Sequence, residues 1–355
     1  MSAFASSLLE QKIPFLMCRF PNQEEILTFQ LTQAPARLSS LKDLHGKSGF
    51  IVHPFSNSKP MLFFEQIKQI RTLEDVEVQE NRSIAALVCD QKSTTKDEYL
   101  TSCESLVEDI QKGHFDKVVL SKVGVEKDKS STDLAANFNT LCEKYPTAFS
   151  YMIYYPEILS WMGATPETLM TVNHQSQHAE TVSLAGTRKA LGSNEKWGEK
   201  EMDEQAFVTD YIAKQIERVG ITEYRVSDPK TIKAGVMEHL CSRFNLSVDE
   251  STLLKLVERL HPTPAVCGMP KSQALQRIIQ EEQHDRKYYS GFLGFYNFRD
   301  NTNLYVNLRC AEGFDDAVVL YTGGGITKDS NPEDEWNEAA LKQSTIKTVL
   351  FQGLR

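Results

Sequence analysis

Two sets of charged residues stand beside turn and helix signals in the later part of this chain. Carboxylates occur at Glu167 in GATPETLM, Glu204 in EKEMDEQAFVTD, and Glu335 and Glu338 in PEDEWNEAALKQST. Cations occur at Lys117 in FDKVVLSK, Arg309 in YVNLRCAE, and Lys342. Two glycine turns lie among them: LAGTRKA, with Gly186 and Thr187, and YTGGGITKDSNP, with Gly323. Carboxylates can hold a hard divalent ion. An arginine fork suits a carboxylate, and a lysine with a glutamate can serve as base and acid. This is the inventory of an enzyme acting on a small, multiply charged molecule.

Each residue also has a plainer reading. Glu204 lies four residues before Val208 and extends a stripe of Val208, Tyr211, Ile212, Ile216 and Val219. An inward carboxylate is costly unless paired or bound to metal, but a glutamate early in a helix also favours the macrodipole. Glu335, Glu338 and Lys342 share one helix face, either as a solvated face with an i,i+4 pair or as part of a metal site. In YVNLRCAE, alternation places Arg309 with Tyr305 and Asn307 on one side of a strand, facing solvent or lining a site. Lys117 opens the strand KVVLSK, as a surface lysine or as a base whose proton affinity falls near other cations. His239, in VMEHLCSRF, reads as a core histidine. The glycine turns allow positive φ and close approach of backbone N–H groups to an anion. Neither is a dinucleotide or P-loop motif.

Composition narrows the class. The chain has 355 residues, 41% hydrophobic and 25% charged, which is ordinary for a globular protein. Its net charge of −9 and lack of a long basic run argue against nucleic acid as a partner. No segment approaches the ~18 apolar residues of a membrane span, and the start lacks a basic secretory n-region. Seven scattered cysteines, without CxxC spacing, read as reduced thiols, so a cytoplasmic location is expected.

The elements that must position the charged groups follow from periodicity. Residues 1–95 read as β-rich, with strands in EILTFQLT, GFIVHPF and MLFFEQI, and belong to the same domain as the core over 96–355. EDVEVQENRS is the expected mobile stretch. A helix in TTKDEYLTSCESLVEDIQKG stops at Gly113, and DLAANFNTLCEKY is helical. AFSYMIYY, LSWMGA, ETLMTVN and AETVSLAG are successive strands, and a long helix spans about 195–219. YSGFLGFYNF, NLYVNLRCAE and DAVVLYTGGG are later strands. The last helix follows Asn331-Pro332 and runs to about Leu350. Strands in runs with helices between runs imply an α+β fold of antiparallel sheets with helices outside.

Taken in order, KVVLSK, GATPETLM, LAGTRKA, EKEMDE, HPTPAVCG, DRKYYSGFLG, NLRCAE, GGGI and EWNEAALKQST resemble the chorismate-utilising enzymes. That family includes isochorismate, salicylate, anthranilate and aminodeoxychorismate synthases. The resemblance covers roughly Lys117 to the C-terminus. It implies a single-domain, four-layer α/β/β/α sandwich with two large antiparallel sheets. It implies Lys117 as the base that activates water and Glu167 as the acid that protonates the departing C4 hydroxyl. Glu204 and Glu338 would hold Mg²⁺, with Glu335 nearby. Gly186, Thr187, Arg309, Gly323 and Lys342 would hold the carboxylates of chorismate, and His239 and Ala265 would line the pocket.

Lysine at 117 resembles the water-adding members, and Ala185 replaces the nucleophilic lysine of the PIKGT branch. TPE for SPE, Gln205 for a more usual histidine, and DRKYYSGFLG for DREFYGGPVG depart from the common pattern without removing a catalytic charge. The activity implied is Mg²⁺-dependent isochorismate synthesis, an isomerisation feeding menaquinone or a siderophore, by a monomer without a glutaminase subunit. Salicylate synthesis, with later pyruvate elimination, is the alternative enzyme. A non-catalytic chorismate-binding protein is the alternative of another class.

Overall fold

The computed structural model of the protein describes residues 2–77, 85–189, 196–234 and 237–351; side chains of Thr187, Lys189, Lys200, Lys233, Ala234 and Met237 lie outside the description. Most of the stretch expected to be mobile, from residue 78 on, lies outside it too.

Among the described residues, nineteen strands and eight α-helices alternate in runs. In the N-terminal part, helix α1 (Ser2–Glu10) precedes β1 (Phe15–Arg19), β2 (Leu27–Leu31), β3 (Ala36–Leu38), β4 (Gly49–His53), β5 (Met61–Phe64) and β6 (Ile67–Ile70). Then come α2 (Lys96–Gln111), β7 (Lys117–Glu126), α3 (Ser131–Ala136), α4 (Phe138–Lys144), β8 (Phe149–Tyr155), β9 (Leu159–Thr165), β10 (Thr168–Asn173) and β11 (His178–Lys189). Helix α5 (Glu199–Arg218) leads to β12 (Tyr224–Val226), β13 (Lys230–Ala234), β14 (Met237–Ser247), α6 (Glu250–Leu260), β15 (Gly268–Met269) and α7 (Lys271–Glu281). The chain closes with β16 (Phe292–Phe298), β17 (Asn301–Val306), β18 (Cys310–Gly313), β19 (Val318–Ile326) and α8 (Pro332–Leu350).

Local chemistry sets the helix ends. Thr95 Oγ1 accepts the Glu98 N–H at 3.3 Å while Glu98 Oε2 accepts the Thr95 N–H at 2.7 Å, a reciprocal cap that starts α2. Asn331 Oδ1 accepts the Glu333 and Asp334 N–H groups, and Pro332 occupies the first turn of α8. Helix α1 went unread in the sequence, and DLAANFNTLCEKY is two helices broken at Asn137.

The strands form two antiparallel sheets. One has the order β15-β7-β19-β18-β9-β8-β1-β2-β6; the other runs β12-β14-β11-β10-β17-β16-β4-β5-β3, with β13 also on β14. N-terminal strands complete both: β1 pairs β8, and β4 pairs β16. Aromatic and branched residues from both inner faces, among them Phe29, Tyr151, Trp161, Phe295, Tyr305 and Tyr321, make the core between the sheets. Helices α5 and α6 cover the outer face of the ten-stranded sheet through Val208, Ile212, Ile216, Leu253 and Leu256. Helices α1, α3, α4 and α8 cover the nine-stranded sheet. The architecture is the four-layer α/β/β/α sandwich that the resemblance implied.

One element departs from the sequence reading. NLYVNLRCAE is not a single strand: β17 belongs to one sheet and β18 to the other, and Asn307-Leu308-Arg309 carries the chain across. Alternation therefore fails there. Asn307 is buried, accepting the Tyr151 O–H at 2.6 Å and donating to Tyr288 O at 2.9 Å, and Arg309 has φ +49°. Tyr151→Phe, which leaves the Asn307 acceptor buried and unmet, is expected to cost about 1–3 kcal/mol in urea unfolding.

Candidate active site

Lys117, Glu204, Arg309, Glu335, Glu338 and Lys342 gather where β7, β19, the β11 bulge, α5, the sheet crossover and α8 meet. Lys117 Nζ donates to Glu204 Oε1 at 2.9 Å, joining the start of β7 to the first turns of α5. Its side chain lies over Gly325, where an added Cβ would come within 3.0 Å of Lys117 Cε. Lys342 Nζ reaches Gly323 O at 3.3 Å and pairs with Glu338 Oε1 at 2.6 Å. Glu335 accepts the Ser330 O–H at 2.6 Å. His239 is held below its ordinary value by burial and by the charges of Arg309 and Lys342, against Glu204, so these groups share one electrostatic environment.

Arg309 is half-buried, with its guanidinium 5.4 Å from the Tyr145 ring. Among the described residues it has no carboxylate partner, and burial lowers its proton affinity. A partly desolvated guanidinium without a counter-ion is a receptor for an anion.

Glu167 follows the Thr165-Pro166 turn between β9 and β10. The residue is 8% exposed, and burial raises its pKa to about 7, against a lesser opposing effect of the Thr263 hydroxyl, which donates to Oε1 at 3.2 Å. It lines a small cavity with Thr263, Pro264 and Ala265. The segment from Thr263 to Met269 links it to the other charges. Thr263 reaches Glu167, while β15 pairs with β7, setting Met269 opposite Lys117.

The β11 bulge is required by α5. Gly186 has φ +65°, and a Cβ there would stand 2.8 Å from Glu201 O. The bulge removes Ala185 N–H from its ladder, and Gln205 Oε1 accepts it at 2.9 Å. Gln205 Nε2 donates to Ser183 O and to the hydroxyls of Ser183 and Ser242. The buried stripe of α5 thus continues through Gln205, 2% exposed, and leaves its neighbour Glu204 at the edge of the site. The side chain of Thr187 lies outside the described residues.

A second fixing element is the pair of Arg286 and Glu282, both buried. Arg286 donates to Glu282, Val266 O and Val119 O, at 2.6–2.8 Å, and its guanidinium lies 4.3 Å from the Phe55 ring. Glu282 also accepts the Ser121 N–H at 2.7 Å. Burial pushes the Glu282 carboxyl up, but Arg286, together with His284 and the Ser121 N–H, more than offsets this and holds it below its usual value. The pair ties β7, two residues from Lys117, to the loop that carries Ala265. Neither Gln205 nor Arg286 was singled out as a site residue, although Arg286 lies in a motif that carries the resemblance and Gln205 directly follows one. Their partners are distant in sequence.

Among the described residues no three His, Cys, Asp or Glu side chains form a closed metal cage. The donor set still suits Mg²⁺, which takes few carboxylates and completes its shell with water and substrate. Glu335 has its pKa raised by burial and by the charge of Glu338, a local excess of negative charge that a divalent ion would relieve. Among the described residues the buried Tyr99 hydroxyl has no hydrogen-bond partner, and it lies beside Gly324, as Glu335 does.

The family profile described as "Chorismate binding enzyme" matches residues 50–351. The chain belongs to the chorismate-binding enzyme family. It is 27% identical to the vibriobactin-specific isochorismate synthase of Vibrio cholerae over 276 residues, 75% of this chain and 69% of that one. It is 29% identical to isochorismate synthase EntC of Escherichia coli K12 over 245 residues, 66% of this chain and 62% of that one. The structure of MenF, the menaquinone-specific isochorismate synthase from Escherichia coli, matches with a TM-score of 0.80 at 20% identity, covering 98% of this chain and 91% of that one. This family member therefore shares the sandwich as well as the motifs.

The raised pKa of Glu167 has a consequence for stability. The folded chain binds a proton there that the unfolded chain releases, between the ordinary value of 4.5 and about 7. Stability from this group is therefore present below pH 4.5 and lost as pH rises through about 7. Glu167→Gln is expected to stabilise the protein at pH 8 by up to about 3 kcal/mol, read by urea unfolding at pH 5 and pH 8, with little gain at the lower pH.

Proposed function

We propose that this family member is an isochorismate synthase. The observation that carries the reading is Glu167, a buried carboxyl that can hold its proton near neutrality and so can act as an acid. In this reaction water adds to C2 of chorismate, the ring double bond shifts, and the C4 hydroxyl leaves. Lys117 takes a proton from the attacking water as the C2–O bond forms. Glu167 gives its proton to the C4 oxygen as that C–O bond breaks, so the hydroxyl departs as water. The atoms of water gained and lost balance, and the net change is an isomerisation.

Arg309 and Lys342 hold substrate carboxylates. Lys342 has 48% of its side chain exposed and can reach a ligand beside Gly323, while Arg309 lacks any described carboxylate partner. Gly186, Thr187 and Gly323 contribute backbone around the substrate, and His239 and Ala265 bound the pocket. Glu204 and Glu338, with Glu335 nearby, would hold Mg²⁺, which would supply positive charge for a substrate carboxylate. These local cations offset the net charge of −9, which would repel a dianion.

Water as the nucleophile removes the need for a glutaminase subunit, and we propose that the chain acts alone. All seven cysteines are free, which suits the reducing cytoplasm. No described helix is long and apolar enough to cross a membrane.

Purified protein incubated with chorismate and Mg²⁺ is expected to yield isochorismate, with turnover lost in EDTA and restored by Mg²⁺. Salicylate with pyruvate would reassign it to the lyase branch. Tight chorismate binding without turnover would leave only a binding protein. Lys117→Ala and Glu167→Gln are each expected to lower kcat by roughly 10²–10⁴. Because Glu167 must be protonated, kcat should fall as pH rises through about 7 in a steady-state pH profile.

A further inference from the structure

A buried acid must not only hold a proton but present it from one oxygen. Among the described residues, the carboxyl of Glu167 has one hydrogen-bond partner, Thr263. The cavity around its side chain is lined by Leu169, Val182, Leu184, Val208 and other uncharged residues, and no ionised group from any neighbouring element is among them. Burial and one hydroxyl account for the perturbation of its carboxyl. That hydroxyl belongs to Thr263, donating to Oε1 at 3.2 Å. Thr263 is itself fixed by a turn in which its carbonyl accepts the N–H groups of Val266 and Cys267, at 3.1 and 3.0 Å. The same turn is tied to β7 by Arg286, through Val266 O and Val119 O.

We infer that Thr263 is a positioning residue for the proposed reaction: by donating to Oε1 of Glu167 it leaves Oε2 to carry the proton and deliver it to the leaving oxygen. A carboxylic acid accepts hydrogen bonds best at its carbonyl oxygen, so a fixed donor on Oε1 makes that atom the carbonyl and Oε2 the hydroxyl. The donor also holds the side chain in one orientation, so the proton need not be found by rotation at the moment of bond breaking. The inference rests on the reading of Glu167 as the acid.

Thr263→Val keeps the shape and removes the donor; Thr263→Ser keeps the donor and removes the methyl. With chorismate and Mg²⁺, the valine variant is expected to lose about tenfold in kcat with KM unchanged. Its falling limb of kcat against pH should move to higher pH, because the ionised carboxylate has lost its one hydrogen bond. The serine variant should restore both. Unchanged kcat and pH limb in the valine variant, or serine as impaired as valine, would overturn the inference. A second readout does not need turnover: infrared titration of the Glu167 carboxyl band, assigned by its loss in Glu167→Gln, in substrate-free protein. Transition at higher pH in Thr263→Val than in wild type supports the contact, and coincident transitions reject it. If wild type fails to turn over chorismate while the infrared transition still shifts, the proposed reaction fails and the Thr263 contact stands. Should the valine variant not fold by circular dichroism, Thr263→Ala takes its place in both measurements, with the same deciding outcomes.

Discussion

A guanidinium taken out of water needs partners for its N–H groups, and Arg286 makes four hydrogen bonds by joining three separate pieces of chain. It spans from Glu282, just beyond α7, to the backbone carbonyls of Val119 in β7 and Val266 in the loop before β15. Removal of either charge would leave its partner buried and unmatched, a cost of about 3–5 kcal/mol. The pair is therefore weak evidence of net stabilisation but strong evidence of fixed geometry. Lys117 lies two residues from one tie point and Ala265 one residue from the other. The spacing between β7 and the wall of the Glu167 cavity depends on this bolt.

The charges inside the site follow a different rule. Lys117 pairs with Glu204 and Lys342 with Glu338, each partly exposed and close to solvent. Such pairs are modest in energy and can exchange partners when an anion or a divalent ion arrives. Glu167 and Arg309 lack that freedom. One is a carboxyl enclosed by apolar side chains, the other a half-buried guanidinium without a described carboxylate. The exchangeable charges suit recruitment and release of ligand, and the fixed ones suit proton delivery and orientation. A β bulge and a glutamine complete the arrangement. Gly186 allows α5 to approach the sheet, and Gln205 takes up the N–H that the bulge frees.

The periodic elements of this chain were readable from local pattern. The helix stop at Gly113, the stripe from Val208 to Ile216, and Asn331-Pro332 before α8 each appear in the structure where local chemistry places them. The four-layer sandwich itself came from family resemblance, since strands in runs imply only antiparallel sheets with helices outside. The crossover at Asn307–Arg309 escaped the pattern because alternation assumes that a strand stays in one sheet. Tertiary pairing overrode it: β17 joins β10 and β16, β18 joins β9 and β19, and the buried Asn307 fills the gap.

The sequence by itself determined which charges exist, which helix or strand carries most of them, and the family to which their order belongs. Only the tertiary structure decided what each charge meets. That Glu167 lies among apolar side chains, that Lys117 faces Glu204 across 87 positions of chain, and that Arg286 ties two walls together are long-range facts. A carboxyl's proton affinity and a lysine's partner depend on dielectric surroundings and distance, and neither is a property of neighbours along the chain.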